Sequence, residues 1–391
     1  MNALIETTDL VTNFYTYEGV VKALNRVSLV VDRGMTYGLV GESGCGKSVT
    51  VRSMMRIVQE PGRIEGGQVV VFADEATAAG IDLLTLPEAR MRALRGDQIS
   101  MIFQEPNAAL NPIMSIGNQV AESFLFHQQK QLARAVLDRM GHASGNGARG
   151  PLQRLYARAA RDPDDMLLRV LNRLPLGRRW QNQLKAEALA RAVDIIGRLG
   201  ISNPEEIVHR YPHNLSGGMK QRIVIAMALA CNPILLIADE ATSNLDVTIQ
   251  AQILELLKTL KQETISSILL ITHDLGVVAE TCDRVGVMYA GNLCEHADVN
   301  DLFRQPKHPY TQALLNSVPR LSQHGPLQSI DGAVPNLVDP PAGCRFHPRC
   351  PLAKAPCRHH FPEMREVGVN HFVACFEYTD QPRQPASAGR G

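Results

Sequence analysis

Residues 41–48 read Gly-Glu-Ser-Gly-Cys-Gly-Lys-Ser and match the phosphate-binding loop pattern GxxxxGK[ST] without a mismatch. Small residues let successive backbone N–H groups point inward at a triphosphate, and a helix opening directly behind them adds partial positive charge. Gly41, Ser43, Gly44, Cys45, Gly46 and Val49 build or flank this cradle. Lys47 has the reach for the β- and γ-phosphates, and the Ser48 hydroxyl suits Mg²⁺. The loop by itself specifies nucleotide binding and nothing more. A second element, Ile-Leu-Leu-Ile-Ala-Asp-Glu at 234–240, is an apolar run that delivers two carboxylates to its C-terminal end. Ligands of open α/β sheets bind at such strand ends. Asp239 is placed there to hold Mg²⁺ through water, and Glu240 to polarise an attacking water as general base. An acidic turn after a buried strand would explain the pair alone, but not its occurrence together with a complete phosphate loop.

A second anion-binding nest follows from Leu-Ser-Gly-Gly-Met at 215–219, where Ser216, Gly217 and Gly218 open a helical pattern. One chain holding one nucleotide has little use for two nests, which suggests that this one caps a nucleotide on another subunit. Ile-Thr-His-Asp at 271–274 closes another apolar run and puts His273 on the same ligand edge. A lone histidine is more often structural, but its strand-end position beside Asp239 and Glu240 favours a γ-phosphate contact. Gln104 also ends a short apolar run, 99–103, and can sense water, Mg²⁺ or γ-phosphate. An aromatic should stack on adenine ahead of the strand leading to the loop. Tyr17 is preferred, with Tyr15 the alternative.

These side chains need a parallel sheet with helices between its strands. The apolar runs 233–238, 267–272 and 284–289 alternate with helical patterns at 216–230 and 249–260, as βαβ units require. Residues 4–31 and 66–74 read as strands, the former antiparallel, and 116–210 as mainly helical with a long irregular piece inside. The 391 residues allow two or three domains, and a net charge of +1 points to neither a nucleic-acid nor a membrane partner. Within 130–180, however, ten arginines and one lysine face four aspartates, with a small-residue link at 141–150. A solvated surface insertion is the plainer explanation, and a face toward anionic lipid or an acidic partner the sharper one. No signal peptide is evident, and the longest apolar stretch, 223–238, is split by Asn232-Pro233. A soluble cytoplasmic chain is expected. Beyond Asn292 periodicity fades and proline rises, and 319–391 reads as loop-rich, unable to bury much core alone.

Of eight cysteines, Cys45, Cys231, Cys282 and Cys294 are scattered, whereas Cys344, Cys350, Cys357 and Cys375 crowd together. In a reducing compartment such crowding suggests a structural metal rather than disulfides. Four such thiols suit zinc or an iron–sulfur cluster, and gaps of five, six and seventeen residues, longer than those of zinc ribbons, fit zinc less well. His347, His359 and His360 lie nearby and keep a mixed zinc site open.

Taken together, the phosphate loop, Gln104, LSGGM at 215–219, ILLIADE at 234–240, SNLD at 243–246 and His273 resemble the ATP-binding subunit of ABC transporters. The resemblance spans residue 4 to about 300. It implies an α/β fold with a RecA-like P-loop core, an antiparallel β-subdomain and an α-helical subdomain, two such subunits sandwiching two ATP molecules. It makes Gln104 the Q-loop glutamine, a Mg²⁺ contact along with Ser48 and Asp239, and His273 the switch histidine. Asp246 closes a D-loop that crosses to the other subunit, and Ser216, Gly217 and Gly218 bind γ-phosphate in trans. Ala241 and Asn244 stand where the family more usually has Pro and Ala, and Met219 where it has Gln, the last being usual in one subfamily. That subfamily is the oligopeptide/dipeptide importer ATPases, resembled by FQEPNAALNP (103–112), YPHNLSGGMKQR (211–222), LDVTIQAQIL (245–254), HPYTQALLNSVP (308–319) and the terminal cysteines. It implies an ATPase driving peptide uptake, with residues 105–116 docked on a permease. It also implies two permease subunits, a second cassette ATPase (a paralogue or a second copy), an extracytoplasmic peptide-binding protein, and no nucleic acid. The expected location is peripheral, at the cytoplasmic face of the inner membrane. The cysteines resemble the [4Fe–4S] motif of some dipeptide importer ATPases, zinc being the alternative. The expected domains are a nucleotide-binding domain over 1–300, its helical subdomain at about 105–230 carrying the basic insertion at about 130–180, a metal-bearing C-terminal module over 301–380 and a disordered tail at 381–391. The rival functions are a soluble ABC ATPase acting on ribosomes or DNA, a metal-dependent regulator with the cassette as input, and an importer of nickel or another small solute.

Overall fold

Period-two alternation in the first thirty residues produces a long antiparallel pair, β1 (Ala3–Thr16) and β2 (Gly19–Asp32), joined by a two-residue turn. The computed structural model describes residues 2–72, 80–144, 150–163, 165–173, 180–241, 246–263, 267–317, 330–380 and 382–383. Outside these lie residues 145–149 of the small-residue link, Ser243, Asn244 and Leu245 of the 243–246 motif, and all but two residues of the expected tail. The chain forms two compact units. One comprises Met1–Met91, Ile237–Ser243 and Lys261–Gly391, the other Arg92–Leu236 and Asn244–Leu260.

After β3 (Thr36–Val40) the strands in chain order are β4 (Gly62–Val71), β5 (Ile81–Asp82), β6 (Ile99–Ile102), β7 (Leu235–Asp239), β8 (Ser267–Ile271), β9 (Arg284–Tyr289), β10 (Asn292–Asp298), β11 (Arg365–Gly368) and β12 (His371–Val373). The first unit holds an antiparallel sheet ordered β2-β1-β4-β5 and a mixed sheet ordered β11-β12-β10-β9-β3-β8-β7. β3 sits inside the mixed sheet, parallel to both β8 and β9. Every residue of β3, β7 and β8 is buried. That explains why these strands are continuous apolar runs rather than alternating ones: both faces are covered. β10, β12 and β11 then extend the sheet in antiparallel sense.

This extension departs from the expectation of fading structure after Asn292. β10 is followed by helices Val299–Arg304 and Pro309–Asn316, and β12 pairs with β10 through Glu295↔Val373 and His296↔Phe372. No local pattern announces a pairing between segments so far apart. The loop-rich stretch after residue 330 has little core of its own. It buries Phe346, Cys357, Val373 and Phe376, and the Phe346 ring stands edge-on to Tyr289 of β9 at 5.1 Å.

The second unit is mainly helical. Ile116–His127, Gln129–Ser144, Pro151–Arg161 and Gln181–Arg198 are its principal helices before Gly217–Leu229. β6 lies beside the start of β7, where Leu235 N–H donates to Gln98 O. The basic stretch is not simply a solvated appendage. Its helices turn Leu132, Val136, Tyr156 and Ala160 inward, while Arg134, Arg154, Arg158 and Arg161 stay exposed. Glu187, buried at its base, is paired with Arg139 and Arg191.

Candidate functional site

β3 ends at Val40 and the chain turns immediately into the phosphate loop. Gly41 has φ +149°, and a Cβ there would lie 2.2 Å from Met288 O, so only glycine fits. Gly46 has φ +104° and caps helix Lys47–Met54, with a hypothetical Cβ 3.0 Å from Ala23 O. Lys47 is only 5% exposed. Its Nζ donates to Gly41 O at 2.8 Å and Glu42 O at 3.1 Å, which folds the side chain over the loop. Cys45 is fully buried, and burial pushes its thiol up against the opposing influence of Lys47. Ser43 and Gly44 are exposed and Val49 half-buried.

The Mg²⁺ expectation can be tested on the oxygens themselves. Ser48 Oγ donates to Asp239 Oδ1 at 2.7 Å. Asp239 is completely buried, and its Oδ2 has no hydrogen-bond partner among the described residues. A buried carboxylate oxygen without a donor is costly, and a hard cation beside the Ser48 hydroxyl satisfies it with oxygen ligands. Burial raises the Asp239 carboxyl above its ordinary range, opposed by the Ser48 hydrogen bond and by Arg52 and Lys47. The donor set therefore fits Mg²⁺.

Glu240 follows β7 at once, with φ +48°, a left-handed conformation unusual for a long side chain. Its backbone N–H donates to Ile271 O at 3.0 Å, tying it to the end of β8. Its Oε1 lies 3.7 Å from His273 Nδ1. His273 is held from both sides: β8 precedes it, and Asp274 Oδ1 caps helix Leu275–Thr281 by accepting from Gly276 N–H and Val277 N–H. The first unit thus gathers Lys47, Ser48, Asp239, Glu240 and His273 around the C-terminal ends of β3, β7 and β8. Tyr17, in the β1–β2 turn, is 98% exposed. Tyr15 is already engaged, donating to Glu65 Oε1 at 2.8 Å with Arg63 over its ring.

Gln104, Ser216, Gly217, Gly218 and Asp246 belong to the second unit. Gln104 is exposed just after β6. Ser216 is the N-cap of helix Gly217–Leu229, its hydroxyl accepting from Met219 N–H at 3.4 Å. Space beside Gly217 is open, while a Cβ on Gly218 would stand 3.1 Å from Ile249. Asp246 Oδ1 accepts from Ile249 N–H at 2.9 Å, so its carboxylate starts helix Val247–Glu263.

Two contacts with the phosphate loop had no signal in the sequence. Glu42 N–H donates to Tyr310 Oη at 2.9 Å, and the Glu42 carboxylate receives two hydrogen bonds from Arg349, at 2.8 and 3.1 Å. Both partners lie some 270 to 310 positions away in the chain.

Cys344, Cys350, Cys357 and Cys375 line one cavity together with His347. Burial pushes the Cys344 thiol up to about 12 and Cys375 up to about 11, with the neighbouring cysteines adding to each. The expected [4Fe–4S] cluster, or zinc, is nevertheless not supported. Among the described residues no group of three or more His, Cys, Asp or Glu side chains is arranged to hold a metal ion. His359 and His360 are exposed and do not line the cavity.

Comparison with known proteins places this geometry. The ABC transporter family model matches residues 24–243, and the model for the oligopeptide/dipeptide transporter C-terminal region matches 294–357. The chain is 42% identical to a probable peptide ABC transporter ATP-binding protein, y4tR, of Sinorhizobium fredii, over 95% of this chain and 94% of the relative. It is 40% identical to the oligopeptide transport ATP-binding protein AppD of Bacillus subtilis, over 97% and 98%. It is 41% identical to the dipeptide transport ATP-binding protein DppD of the same organism, over 96% and 95%. Among solved structures, the ATP-binding cassette MJ0796 in a dimeric post-hydrolysis state with ADP and Pi superposes with a TM-score of 0.53 at 21% identity, over 76% of this chain and 99% of that one. The fold is therefore that of an ABC ATPase, with an antiparallel and a mixed sheet. By the extent of these matches, the chain belongs to the ABC transporter ATP-binding proteins, in the branch that carries the oligopeptide/dipeptide transporter C-terminal region.

Proposed function

We propose that this chain is the ATP-hydrolysing motor subunit of a peptide importer. The observation that carries the ATPase part is the Ser48–Asp239 pair, whose buried Asp239 Oδ2 has no partner among the described residues, beside Glu240 and His273. The peptide part rests on relatives named as peptide, oligopeptide and dipeptide transport ATP-binding proteins at about 40% identity over nearly the whole chain.

In this reading the loop N–H groups and Lys47 bind and orient the β- and γ-phosphates, and Tyr17 stacks on adenine. Ser48 and Asp239, with Gln104, would hold Mg²⁺, which supplies charge neutralisation at the phosphates when bound. Glu240 takes the proton of the attacking water, and His273 contacts the γ-phosphate. Ser216, Gly217, Gly218 and Asp246 act on the nucleotide of a second cassette, a paralogue or another copy. Residues 105–116 face a permease. Ile113, 83% exposed, supports a docking role there. Among the described residues no helix is long and apolar enough to cross a membrane. In this reading the subunit is peripheral to the cytoplasmic membrane face and works with two permeases and an extracytoplasmic peptide-binding protein.

The test is affinity purification of the tagged chain from detergent-solubilised membranes, with mass spectrometry of what accompanies it. Two permeases and a peptide-binding protein are expected. Ribosomal or DNA-associated proteins without a permease would overturn transport and leave only the ATPase.

For the C-terminal cysteines we propose metal uptake, [4Fe–4S] ahead of zinc, from their crowding and the cavity that all four line, although as placed they form no metal-holding group among the described residues. Protein purified without oxygen should be brown, and reductant should bleach it. A colourless protein with stoichiometric zinc would remove the iron, and one with neither metal would remove both.

A further inference from the structure

Arg349 is 5% exposed at its side chain, and each of its five donors is committed. Nη1 donates to Glu42 Oε2 at 2.8 Å and Tyr289 Oη at 3.2 Å. Nη2 donates to Glu42 Oε1 and Ile330 O, both at 3.1 Å, and Nε to Asp331 O at 2.9 Å. This is a two-pronged guanidinium–carboxylate pair, the geometry that fixes direction as well as distance. The guanidinium also lies over the Tyr289 ring, 5.7 Å from its centre. Glu42 is the second residue of the phosphate loop. Its N–H is held independently by Tyr310 Oη.

Tyr310 is itself fixed. Its ring packs against Tyr289 and Phe346, with centres 4.6 and 5.3 Å away. Its own N–H donates to His308 Nδ1 at 3.0 Å, and His308 N–H donates to Glu295 Oε2 at 2.8 Å. Glu295 also meets His371 of β12, at 2.6 Å. A continuous set of contacts thus runs from the C-terminal strand pair to Glu42. The carbonyls of Gly41 and Glu42 are the two that accept from Lys47 Nζ. Fixing Glu42 therefore fixes the place from which Lys47 is aimed.

We propose that Arg349 and Tyr310 are positioning residues for the nucleotide site, and that the C-terminal region acts as a latch that sets the affinity of the phosphate loop for MgATP. The latch rests on the reading of residues 41–48 as the nucleotide site. Because coupling between two sites is reciprocal, bound nucleotide must in turn tighten the segment around Arg349.

The test uses the full chain and equilibrium binding of a fluorescent MgATP analogue. Arg349→Ala and Glu42→Ala should each weaken binding about five-fold or more, within the usual range of coupling between sites. The double variant should be no weaker than the worse single one, and Arg349→Lys should recover part of the loss. The KM for ATP should rise while kcat at saturation stays within about two-fold, since aim rather than chemistry is disturbed. Tyr310→Phe keeps the ring and removes only the acceptor, so it carries the test if Arg349→Ala does not fold, and it too should weaken binding. In hydrogen exchange, MgATP should slow residues 344–350 in the natural chain and not in Arg349→Ala. Lys47→Ala separates the two ideas: if it binds as tightly as the natural chain, the loop is not the nucleotide site. If Lys47→Ala loses binding while Arg349→Ala and Tyr310→Phe stay within about two-fold, or if the Glu42 and Arg349 effects simply add, the latch is wrong.

Discussion

Glu240 occupies an unusual backbone conformation at the end of a buried strand, and such outliers persist only where surrounding structure enforces them. Its amide is tied to Ile271, and its carboxylate stands 3.7 Å from His273 Nδ1. Glu240→Gln keeps the shape and removes the proposed base. Turnover should fall by about 100-fold or more, with MgATP still bound, as expected for loss of a general base. Steady-state hydrolysis and nucleotide retention on gel filtration check this, and surviving turnover would dismiss Glu240 as the base. A second prediction concerns His308. Burial holds its imidazole down to about 4, against the opposing pull of Glu295. In the unfolded chain the ring takes a proton near 6.5, whereas in the folded chain it does not until about 4. Stability should therefore fall as pH drops from 6.5 toward 4, by about 3 kcal/mol from this residue. His308→Asn keeps an acceptor for Tyr310 N–H and should flatten the pH dependence of thermal unfolding; an unchanged slope would count against it. At this scale the sequence was most informative for Lys47 and Ser48, which open the helix behind a glycine-rich loop, and for Asp239, Glu240 and His273, which end or follow apolar strands. Tyr310 lies inside the 308–319 motif, but its contact with residue 42, like that of Arg349, has no local signal because nothing near either in the chain refers to residue 42.

Among elements, β3 bears the most. It has parallel partners on both sides and no exposed residue. Leu39→Ala removes a fully buried side chain beside the phosphate loop and should cost about 3 kcal/mol, in the range of core truncations. Urea denaturation would measure it, and a cost below about 1 kcal/mol would mean that the sheet centre repacks freely. Continuous apolar runs made β3, β7, β8 and β9 legible, and period-two alternation made β1 and β2 legible. The antiparallel extension β10, β12 and β11 was not. Their pairing joins Glu295 to Val373 across a long intervening segment, and β11 and β12 are too short to show a period. The helices of the basic stretch were obscured by their charge. Arginines dominate the composition, while the apolar face formed by Leu132, Val136 and Tyr156 emerges only once the helices pack.

For the whole molecule, the residues proposed to act on nucleotide fall in two groups, one in each compact unit. If Ser216, Gly217 and Gly218 serve a second cassette, two different defects should complement. Lys47→Ala and Ser216→Ala should each be nearly inactive alone, and their mixture should recover hydrolysis from a composite site with one sound loop and one sound nest. A mixture as inactive as its components would mean that the two groups do not meet between chains. The family was legible because its motifs are chemically constrained and ordered along the chain. The C-terminal wiring was not, because it is made of ordinary residues whose meaning comes from where the fold brings them.

That wiring has a consequence for how the protein comes into being. Glu42 precedes Arg349 by 307 residues. At translation speeds of 5–20 residues per second, the loop leaves the ribosome roughly 15–60 s before its partner. Over that interval the nascent chain carries its phosphate loop without the contacts that brace it. The newborn cassette thus gains its full grip on nucleotide only after the last strands have joined the sheet, so a chain truncated during synthesis is a poor competitor for ATP.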